Sequence, residues 1–364
     1  MKLAGIFASS CALLAAMAQG KPVQSEHGHS HGQTGPNGVK YVKGRQFDRI
    51  FQIVFENHDV WPVHADPWFG HFWKQDNHRL LGNYHAITHV SQPNYFNMIA
   101  GTDFGDNMYN AVNGNPNAMS NLTLLAGSDM PINFTSSALT VVDVLEEAGV
   151  TWRAYAEESR NSSQYQNPHH LYTLDPIHQG CDFDYMPGDP DFQWSEGNHT
   201  YTRRHFPFVS FPSITSRKER CANLFNADQF FEDYKKGELP QYIYYVPNLE
   251  NDMHDSNTTY GSEYIRHTWK EIFDSKYFME NALNILTFDE SANFTLTDMN
   301  NQIYTVAWGS GVETNSAWDH IDWAYYNHTS LISTVEDNWL GKIGQLGTND
   351  TYANVISVKK PRTN

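Results

Sequence analysis

Five runs of apolar residues along the chain predict the strands of a buried sheet. Residues 50–55 form a nearly continuous apolar run that ends at Glu56-Asn57, a pattern typical of a strand covered on both faces. Four later segments have the same character: 152–155, 242–246, 284–288 and 303–308. Because segments with helical spacing alternate with these runs, the sequence predicts an α/β fold with a mainly parallel central sheet flanked by helices.

Apolar residues at helical spacing predict the helices between these strands. Three such segments are 139–148, 227–236 and 330–340. A further helix is predicted at Ser91, because Ser91 is a plausible N-cap and the proline two residues later fits a first turn. Residues 156–205 are rich in Asn, His, Pro, Asp and Tyr, and for them we predict a long irregular insertion.

The N-terminal residues have the pattern of a segment that directs secretion. A lysine and an apolar run precede Ala16 and Ala18, so residues 1–18 are predicted to be a removed signal peptide. Residues 19–44 are rich in His and Gly with almost nothing apolar, and a disordered leader is expected there. Residues 45–364 are predicted to form a single domain, secreted and extracellular or associated with the cell wall, with no membrane span.

Sequons and cysteines fit an oxidising compartment outside the cell. Eight Asn-x-Ser/Thr sequons predict glycosylation at Asn121, Asn133, Asn161, Asn198, Asn257, Asn293, Asn327 and Asn349. Once residues 1–18 are removed, two cysteines remain, and in such a compartment they most simply pair. A disulfide between Cys181 and Cys221 is therefore predicted to tie down the irregular insertion. Neither cysteine belongs to a Cys-x-x-Cys pair, which argues against zinc binding by these two.

The charge of the chain narrows the choice of partners. A formal net charge of −17 disfavours nucleic acids and anionic membranes as binding partners. At lower pH, carboxylates are protonated and the 18 histidines gain charge, so the same surface tolerates anionic small molecules better.

Three polar segments carry candidate chemistry. Glu56-Asn57 follows the first strand and offers oxygen ligands that suit a hard cation, although these residue types also favour turns. Ser91 at a helix N-terminus would lie beside amides that bind phosphate, although most serines at such positions are only caps. Asp289-Glu290 follows a buried strand, where adjacent carboxylates are costly unless a cation or solvent compensates them.

Several segments, taken in order, resemble the phosphoesterase family of secreted acid phosphatases and bacterial non-haemolytic phospholipases C. This family looks like a distant branch of the alkaline-phosphatase superfamily, and the likeness is strongest to fungal phosphate-regulated acid phosphatases. The segments are Glu56-Asn57, His89-Val-Ser-Gln-Pro-Asn-Tyr with Gly101, Pro247-Asn248 with Asn251-Asp252-Met-His254-Asp255, Thr287-Phe-Asp-Glu290, and residues 328–339.

The resemblance implies a set of site residues. Ser91 is the implied nucleophile, ten residues before the glycine that ends its helix. One divalent ion of unknown identity is implied, with the ligands Glu56, Asn57, Asp289 and Glu290, and with Asp252 as an additional candidate. The implied catalytic histidines are His89, His254 and His328. The implied phosphate-binding residues are Asn248 and His205.

Two departures from the family pattern concern the walls of this site. Val90 stands where many relatives have proline, and Ser291-Ala-Asn-Phe294 replaces a Gly-Gly and Tyr-Asp-His pattern.

The resemblance implies a secreted acid phosphatase that hydrolyses small-molecule phosphate monoesters through a phosphoserine with metal assistance. A phospholipase C-like phosphodiesterase is the first alternative, since the aromatic residues of 60–73 could line an apolar rim. A non-catalytic secreted surface or carbohydrate-binding protein is the second, and it would be expected to have lost Ser91 or an implied metal ligand.

Overall fold

The computed structural model describes residues 40–89, 91–101, 137–158, 201–292, 301–314, 320–346 and 354–356, and the backbone of short strands at 33–34, 172–174 and 181–183. All of these belong to one compact unit, Gly32–Asn364. The predicted signal peptide, most of the predicted leader, most of the insertion and the sequons at Asn121, Asn133, Asn161, Asn198, Asn293 and Asn349 lie outside the described residues.

Strands and helices alternate along the described chain. The strands are β1 (Gln33–Thr34), β2 (Lys40–Tyr41), β3 (Arg49–Phe55), β4 (His78–Leu81), β5 (Tyr84–His85), β6 (Trp152–Ala156), β7 (Tyr172–Leu174), β8 (Cys181–Phe183), β9 (Leu224–Asn226), β10 (Tyr242–Val246), β11 (Ala282–Phe288), β12 (Thr305–Trp308), β13 (Ile321–Asp322) and β14 (Tyr326–Asn327). The helices are α1 (Val60–Ala65), α2 (Phe69–Phe72), α3 (Ser91–Ala100), α4 (Val141–Glu147), α5 (Pro212–Thr215), α6 (Lys218–Cys221), α7 (Asp228–Lys236), α8 (Thr258–Tyr264), α9 (Lys270–Phe273), α10 (Lys276–Met279) and α11 (His328–Leu340). Tight single turns lie at Arg203–His205 and Pro207–Ser210, and a π-helical turn, Ile265–Trp269, joins α8 to α9.

An eight-stranded sheet has the order β13-β4-β12-β11-β3-β10-β6-β9. The five strands from β11 to β9 are parallel to one another. In contrast, β12 runs antiparallel to both of its neighbours, β11 and β4. This arrangement confirms the predicted α/β fold with a mainly parallel central sheet.

Helices cover both faces of this sheet. Every residue of the central strands β3, β10 and β11 is therefore buried. On one face, Phe51 packs against Phe230, Trp269 and Phe278, which belong to α7, the π-helical turn and α10. On the other face, Tyr244 contacts Met98 of α3, and α3 packs against α11. Alternation of side chains along each strand sends neighbouring residues into these two layers.

The central strands and long helices lie close to their predicted positions. The predicted 50–55 strand is Arg49–Phe55, and the predicted 330–340 helix is His328–Leu340. Helix α3 ends at Gly101, whose φ of 68° is a left-handed conformation that favours glycine. The predicted 303–308 strand is β12, Thr305–Trp308, although its antiparallel direction was not predicted. The short strands β4, β9 and β13 were not predicted, because two to four residues carry too little periodicity.

No helix in the described ranges is both long enough and apolar enough to cross a membrane. The side chain of Cys181 lies outside the described residues, so its disulfide with the buried Cys221 remains a prediction.

Candidate active site

The carboxyl ends of three neighbouring parallel strands bring acidic residues together. Glu56 follows β3, Asp289 follows β11, and Asp252 lies in the loop after β10. Backbone hydrogen bonds connect these ends, from Asp289 N to Phe55 O at 2.9 Å and from Glu56 N to Asp252 O at 2.8 Å. All three carboxyl groups are fully buried. The fold therefore concentrates buried carboxyl groups at the edge where open α/β sheets bind ligands.

Ser91 is the first residue of α3, and its hydroxyl points into this acidic edge. Its Oγ donates a hydrogen bond to Glu56 Oε2 at 3.1 Å and lies 3.5 Å from Glu290 Oε1. The predicted N-cap role is thus corrected: Ser91 lies inside the helix, and its hydroxyl contacts carboxylates. The amide groups and the dipole of the ten-residue helix favour negative charge beside this hydroxyl.

His89 and Glu290 are in contact next to Ser91. His89 Nδ1 lies 2.9 Å from Glu290 Oε2, and the His89 side chain is 21% exposed. Since the other oxygen of Glu290 is the one near Ser91 Oγ, one carboxylate connects the histidine to the serine.

Asp289 lies close to the carboxyl groups of Glu56 and Glu290. Its Oδ1 accepts a hydrogen bond from the backbone N–H of Asn57 at 3.2 Å. Burial, followed by the charges of Glu56 and Glu290, raises the pKa of Asp289 well above its usual range. Asp289 Oδ2 and Glu56 Oε1 are buried and accept no hydrogen bond.

His205 lies between two of the buried carboxylates and is itself fully buried. Its Nδ1 lies 3.0 Å from Asp252 Oδ2, and its Nε2 is 2.7 Å from Glu56 Oε1. The second contact has the distance of an ion pair but lacks the angle of a hydrogen bond. The imidazole also stacks on Tyr95 of α3, with ring centroids 4.9 Å apart and an interplanar angle of 12°.

Charge pairing controls the protonation of His205, Glu56 and Asp252. Burial by itself would lower the pKa of His205, but Glu56 and Asp252 raise it to about 9. Burial would raise the pKa of Glu56, but His205 lowers it to about 2. Burial raises the pKa of Asp252 to about 6 despite the opposing effect of His205. At mildly acidic pH, His205 is therefore a cation that neutralises Glu56.

Two predicted site residues lie in the loop after β10. His254 is 29% exposed, and its Nδ1 lies 2.6 Å from Asp255 Oδ1. Asn248 uses its side-chain oxygen within the loop itself, where it accepts hydrogen bonds from the backbone N–H groups of Glu250 and Asn251 at 3.1 and 2.8 Å. The geometry thus gives Asn248 a part in shaping the loop.

His328, the first residue of α11, is fully buried beneath the acidic edge. Its Nε2 lies 2.6 Å from the backbone carbonyl of Asp289, and its Nδ1 lies 3.4 Å from the hydroxyl of Tyr84. Burial lowers the pKa of His328 to about 4, although the hydrogen bond to Asp289 opposes this shift. His328 is therefore a neutral histidine that holds the backbone of Asp289.

The sequon at Asn327 is corrected by the structure. Asn327 is 3% exposed, and its side chain caps α11 by accepting a hydrogen bond from the backbone N–H of Ser330 at 3.3 Å. A buried cap has no room for a glycan in the folded protein. Asn257, by contrast, is exposed at the start of α8, where its glycosylation stays a prediction.

Sequence reasoning missed three residues around this site. Tyr95 lies four positions after Ser91, on the same helical face, and this spacing was an available signal. Arg204 precedes His205 and contacts His254, and its position beside a candidate histidine was another. Glu157 follows β6 and accepts hydrogen bonds from Asn248 N and Asn251 Nδ2 at 3.0 and 2.7 Å, which fixes the loop that carries His254.

A family model matches most of the chain. The model named Phosphoesterase family matches residues 71–340, which is most of the chain and contains every site residue described above except those that follow β3. The chain belongs to the phosphoesterase family.

Curated relatives of this phosphoesterase include two fungal proteins. An acid phosphatase of Aspergillus fumigatus is 29% identical over 328 residues, which cover 89% of this chain and 62% of that protein. A probable acid phosphatase of Kluyveromyces lactis is 28% identical, covering 90% of this chain and 66% of that protein. The chain thus spans less than two thirds of the length of these relatives.

A solved structure from the alkaline phosphatase superfamily, from Vibrio parahaemolyticus, also matches this phosphoesterase. The two are 10% identical and superpose with a TM-score of 0.44, over 82% of this chain and 68% of that chain.

The donor chemistry of the acidic edge fits a divalent cation. Glu56, Asp289 and Glu290 supply carboxylate oxygens, which hard cations prefer, and two of these oxygens are buried without a hydrogen bond. Within the ranges that the structure describes, no three His, Cys, Asp or Glu side chains are already grouped so that they could hold a metal ion. The donors therefore match a cation in type but are not assembled around one point.

His205 should make the free energy of unfolding of this phosphoesterase fall as the pH rises into the alkaline range. Its pKa in the folded protein, about 9, exceeds the ordinary value of 6.5, so its stabilising effect is complete below pH 6.5 and is lost as the pH rises through 9. We expect the difference in free energy of unfolding between the wild type and His205→Gln, measured by urea denaturation in a chelating buffer, to shrink across this interval. The exposed His71→Gln is the matched control, and a pH-independent difference for His205→Gln would contradict the assignment.

Proposed function

We propose that this protein is a secreted acid phosphatase that hydrolyses small-molecule phosphate monoesters, with Ser91 as its nucleophile. The observation that carries the proposal is the position of Ser91 Oγ at the N-terminus of α3, 3.1 Å from Glu56 Oε2 and 3.5 Å from Glu290 Oε1. The fungal relatives named acid phosphatases support the substrate class and the acid pH.

Ser91 has the surroundings that a phosphate-attacking hydroxyl needs. The ionised Glu56 accepts its hydrogen bond and favours loss of its proton. Amide groups at the helix N-terminus meet the non-bridging oxygens of the phosphate, where charge develops during transfer.

Glu56, Asn57, Asp289 and Glu290 would hold one divalent cation beside Ser91. The raised pKa of Asp289 reflects three carboxyl groups crowded together, and a cation would relieve this repulsion. When bound there, the cation would supply positive charge that compensates negative charge developing beside Ser91. Both oxygens of Asp252 already contact other groups, His205 Nδ1 and the backbone N–H of His254, and we assign Asp252 a positioning role.

His89 is the proton donor that the geometry favours. Its side chain is 21% exposed although its Nε2 is buried, and the carboxylate paired with its Nδ1 lies next to Ser91 Oγ. Both ring nitrogens of His254 are engaged, by Arg204 and Asp255, and both ring nitrogens of the buried His328 are engaged as well. A partly exposed imidazolium can give its proton to the oxygen of a leaving alcohol.

The reaction then proceeds in two displacements. Ser91 Oγ passes its proton to Glu56 and forms a bond to phosphorus while the bond between phosphorus and the ester oxygen breaks, and the leaving alcohol takes a proton from His89. In the second step, water attacks phosphorus and gives a proton to His89 while the bond between phosphorus and Ser91 Oγ breaks. Ser91 Oγ then takes its proton back from Glu56, and inorganic phosphate is released. His205 and His328 contribute by fixing Glu56 and Asp289.

Removal of the Ser91 hydroxyl should abolish turnover. We expect Ser91→Ala to lower kcat for p-nitrophenyl phosphate at about pH 5 by at least about 10³-fold, because no nearby group replaces the nucleophile. The matched control is Ser216→Ala, a serine outside the acidic edge whose hydroxyl bonds only Pro212 O among the described contacts. Turnover that survives in Ser91→Ala would place the nucleophile elsewhere, and a diester cleaved faster than the monoester by the wild type would favour a phosphodiesterase.

Chelation should remove activity reversibly. Dialysis against EDTA should suppress turnover, and the addition of a single divalent cation should restore it, because the donor set of carboxylate and amide oxygens suits a hard ion. Asp289→Asn should weaken binding of that cation, measured by calorimetry, whereas Asp274→Asn on the surface should not. Full activity after complete metal removal would contradict the cation proposal.

Loss of His89 should lower kcat most for substrates with poor leaving groups. A nitrophenolate departs readily without a proton, whereas an alkoxide needs one. We therefore expect His89→Asn to lower kcat for an alkyl phosphate by about 10²–10⁴-fold, and for p-nitrophenyl phosphate by much less. Equal losses on both substrates would show that His89 does not protonate the leaving group.

A further inference from the structure

Arg204 lies beside the proposed site and has no assigned role. It belongs to the single turn Arg203–His205 and directly precedes the buried His205. Its Nη2 lies 3.3 Å from Nε2 of His254, and Arg204 is partly exposed. It is therefore a positive charge between the buried acidic edge and solvent.

The contact with Arg204 fixes the tautomer of His254. A guanidinium has only donors, so Nε2 of His254 must accept the hydrogen bond. The ring proton then resides on Nδ1, which donates to Asp255 Oδ1 at 2.6 Å. Arg204, His254 and Asp255 thus form an oriented chain of hydrogen bonds that ends in a carboxylate and keeps the guanidinium in place.

Short steps lead from Arg204 to the nucleophile. The ring of His254 lies 5.9 Å from the ring of His205. His205 Nε2 is 2.7 Å from Glu56, which accepts the hydrogen bond of Ser91 Oγ at 3.1 Å. Consistent with this proximity, His254 and Arg204 both lower the pKa of Glu56, after the larger effects of burial, which raises it, and of His205.

The neighbouring arginine has a different environment. Arg203 Nη2 donates to the backbone carbonyl of Val209 at 3.0 Å, and its Nη1 lies 3.4 Å from Ser210 Oγ. Arg203 therefore holds the following turn, while Arg204 points to the partly exposed His254.

We propose that Arg204 is a specificity-determining residue that binds a terminal oxygen of a phosphate monoester. This proposal rests on the proposed function. A monoester carries three non-bridging oxygens, whereas a diester carries a second ester group in place of one of them. A phosphate oxygen accepts a hydrogen bond from a guanidinium more strongly than a neutral imidazole nitrogen does. The N–H group that Arg204 now donates to His254 can therefore donate to the substrate instead. Ionised carboxylates of the acidic edge, Glu56 among them, would repel a phosphate, and an always-charged arginine offsets this repulsion at any working pH.

The test compares Arg204→Gln and Arg204→Lys with the wild type, all purified with their divalent ion. The readouts are KM and kcat for p-nitrophenyl phosphate, kcat/KM for bis-p-nitrophenyl phosphate, and the inhibition constant of inorganic phosphate. Arg266→Gln is the matched control for loss of one positive charge, since Arg266 lies on an exposed surface next to Glu263. A thermal unfolding measurement on each variant tests whether it is folded.

We expect Arg204→Gln to raise KM for the monoester and the inhibition constant of phosphate by about 10- to 100-fold, with a smaller change in kcat. Diester hydrolysis should change by less than about threefold, and Arg204→Lys should recover part of the loss because it keeps the charge. KM and the inhibition constant of a folded Arg204→Gln within about twofold of the wild type would overturn the proposal. So would equal losses on monoester and diester, or a partial loss that Arg266→Gln reproduces.

Failure of the proposed function has a separate signature. If the wild type hydrolyses no ester, calorimetric binding of inorganic phosphate still tests Arg204. Weaker binding by Arg204→Gln than by the wild type would support the role of Arg204 in phosphate recognition, while equal or undetectable binding by both would overturn it.

Discussion

Crowding of carboxyl groups at the end of a parallel sheet is the constraint on which the rest of the site depends. Glu56 and Asp289 follow adjacent strands and are fully buried, so their charges cannot be relieved by water. The protein places His205 against one of them and a helix N-terminus with Ser91 against both Glu56 and Glu290. A site arranged in this way favours positively charged groups beside its buried carboxyl groups.

The compensation has two layers. In the interior, His205 takes its raised pKa from Glu56 and Asp252, so that the histidine is charged where an isolated buried imidazole would be neutral. His328 shows the opposite case, because it contacts a backbone carbonyl and no carboxylate, and burial keeps it neutral. Two buried histidines thus differ in charge through their partners alone. Toward solvent, Arg204 supplies a charge that does not titrate.

Several features of the fold and the site could be predicted from sequence because they are local. The apolar run before Glu56 and the one before Asp289 indicated strands, and the strands lie there. A glycine ten residues after Ser91 indicated where α3 ends. Other features were beyond local patterns: the antiparallel direction of β12, the burial of Asn327 and the use of Asn248 within its own loop all depend on which segments pack together.

Local sequence patterns were enough to indicate the α/β alternation, the polar residues that end the central strands and the membership of the family. Each of these is carried by residues near one another along the chain, through periodicity or motif spacing. Three contacts could be known only from the folded chain: Ser91 with Glu56, His205 with both Glu56 and Asp252, and Arg204 with His254. These pairs are separated by 35 to 149 positions in sequence, and the roles of their side chains follow from the charges that folding brings into contact.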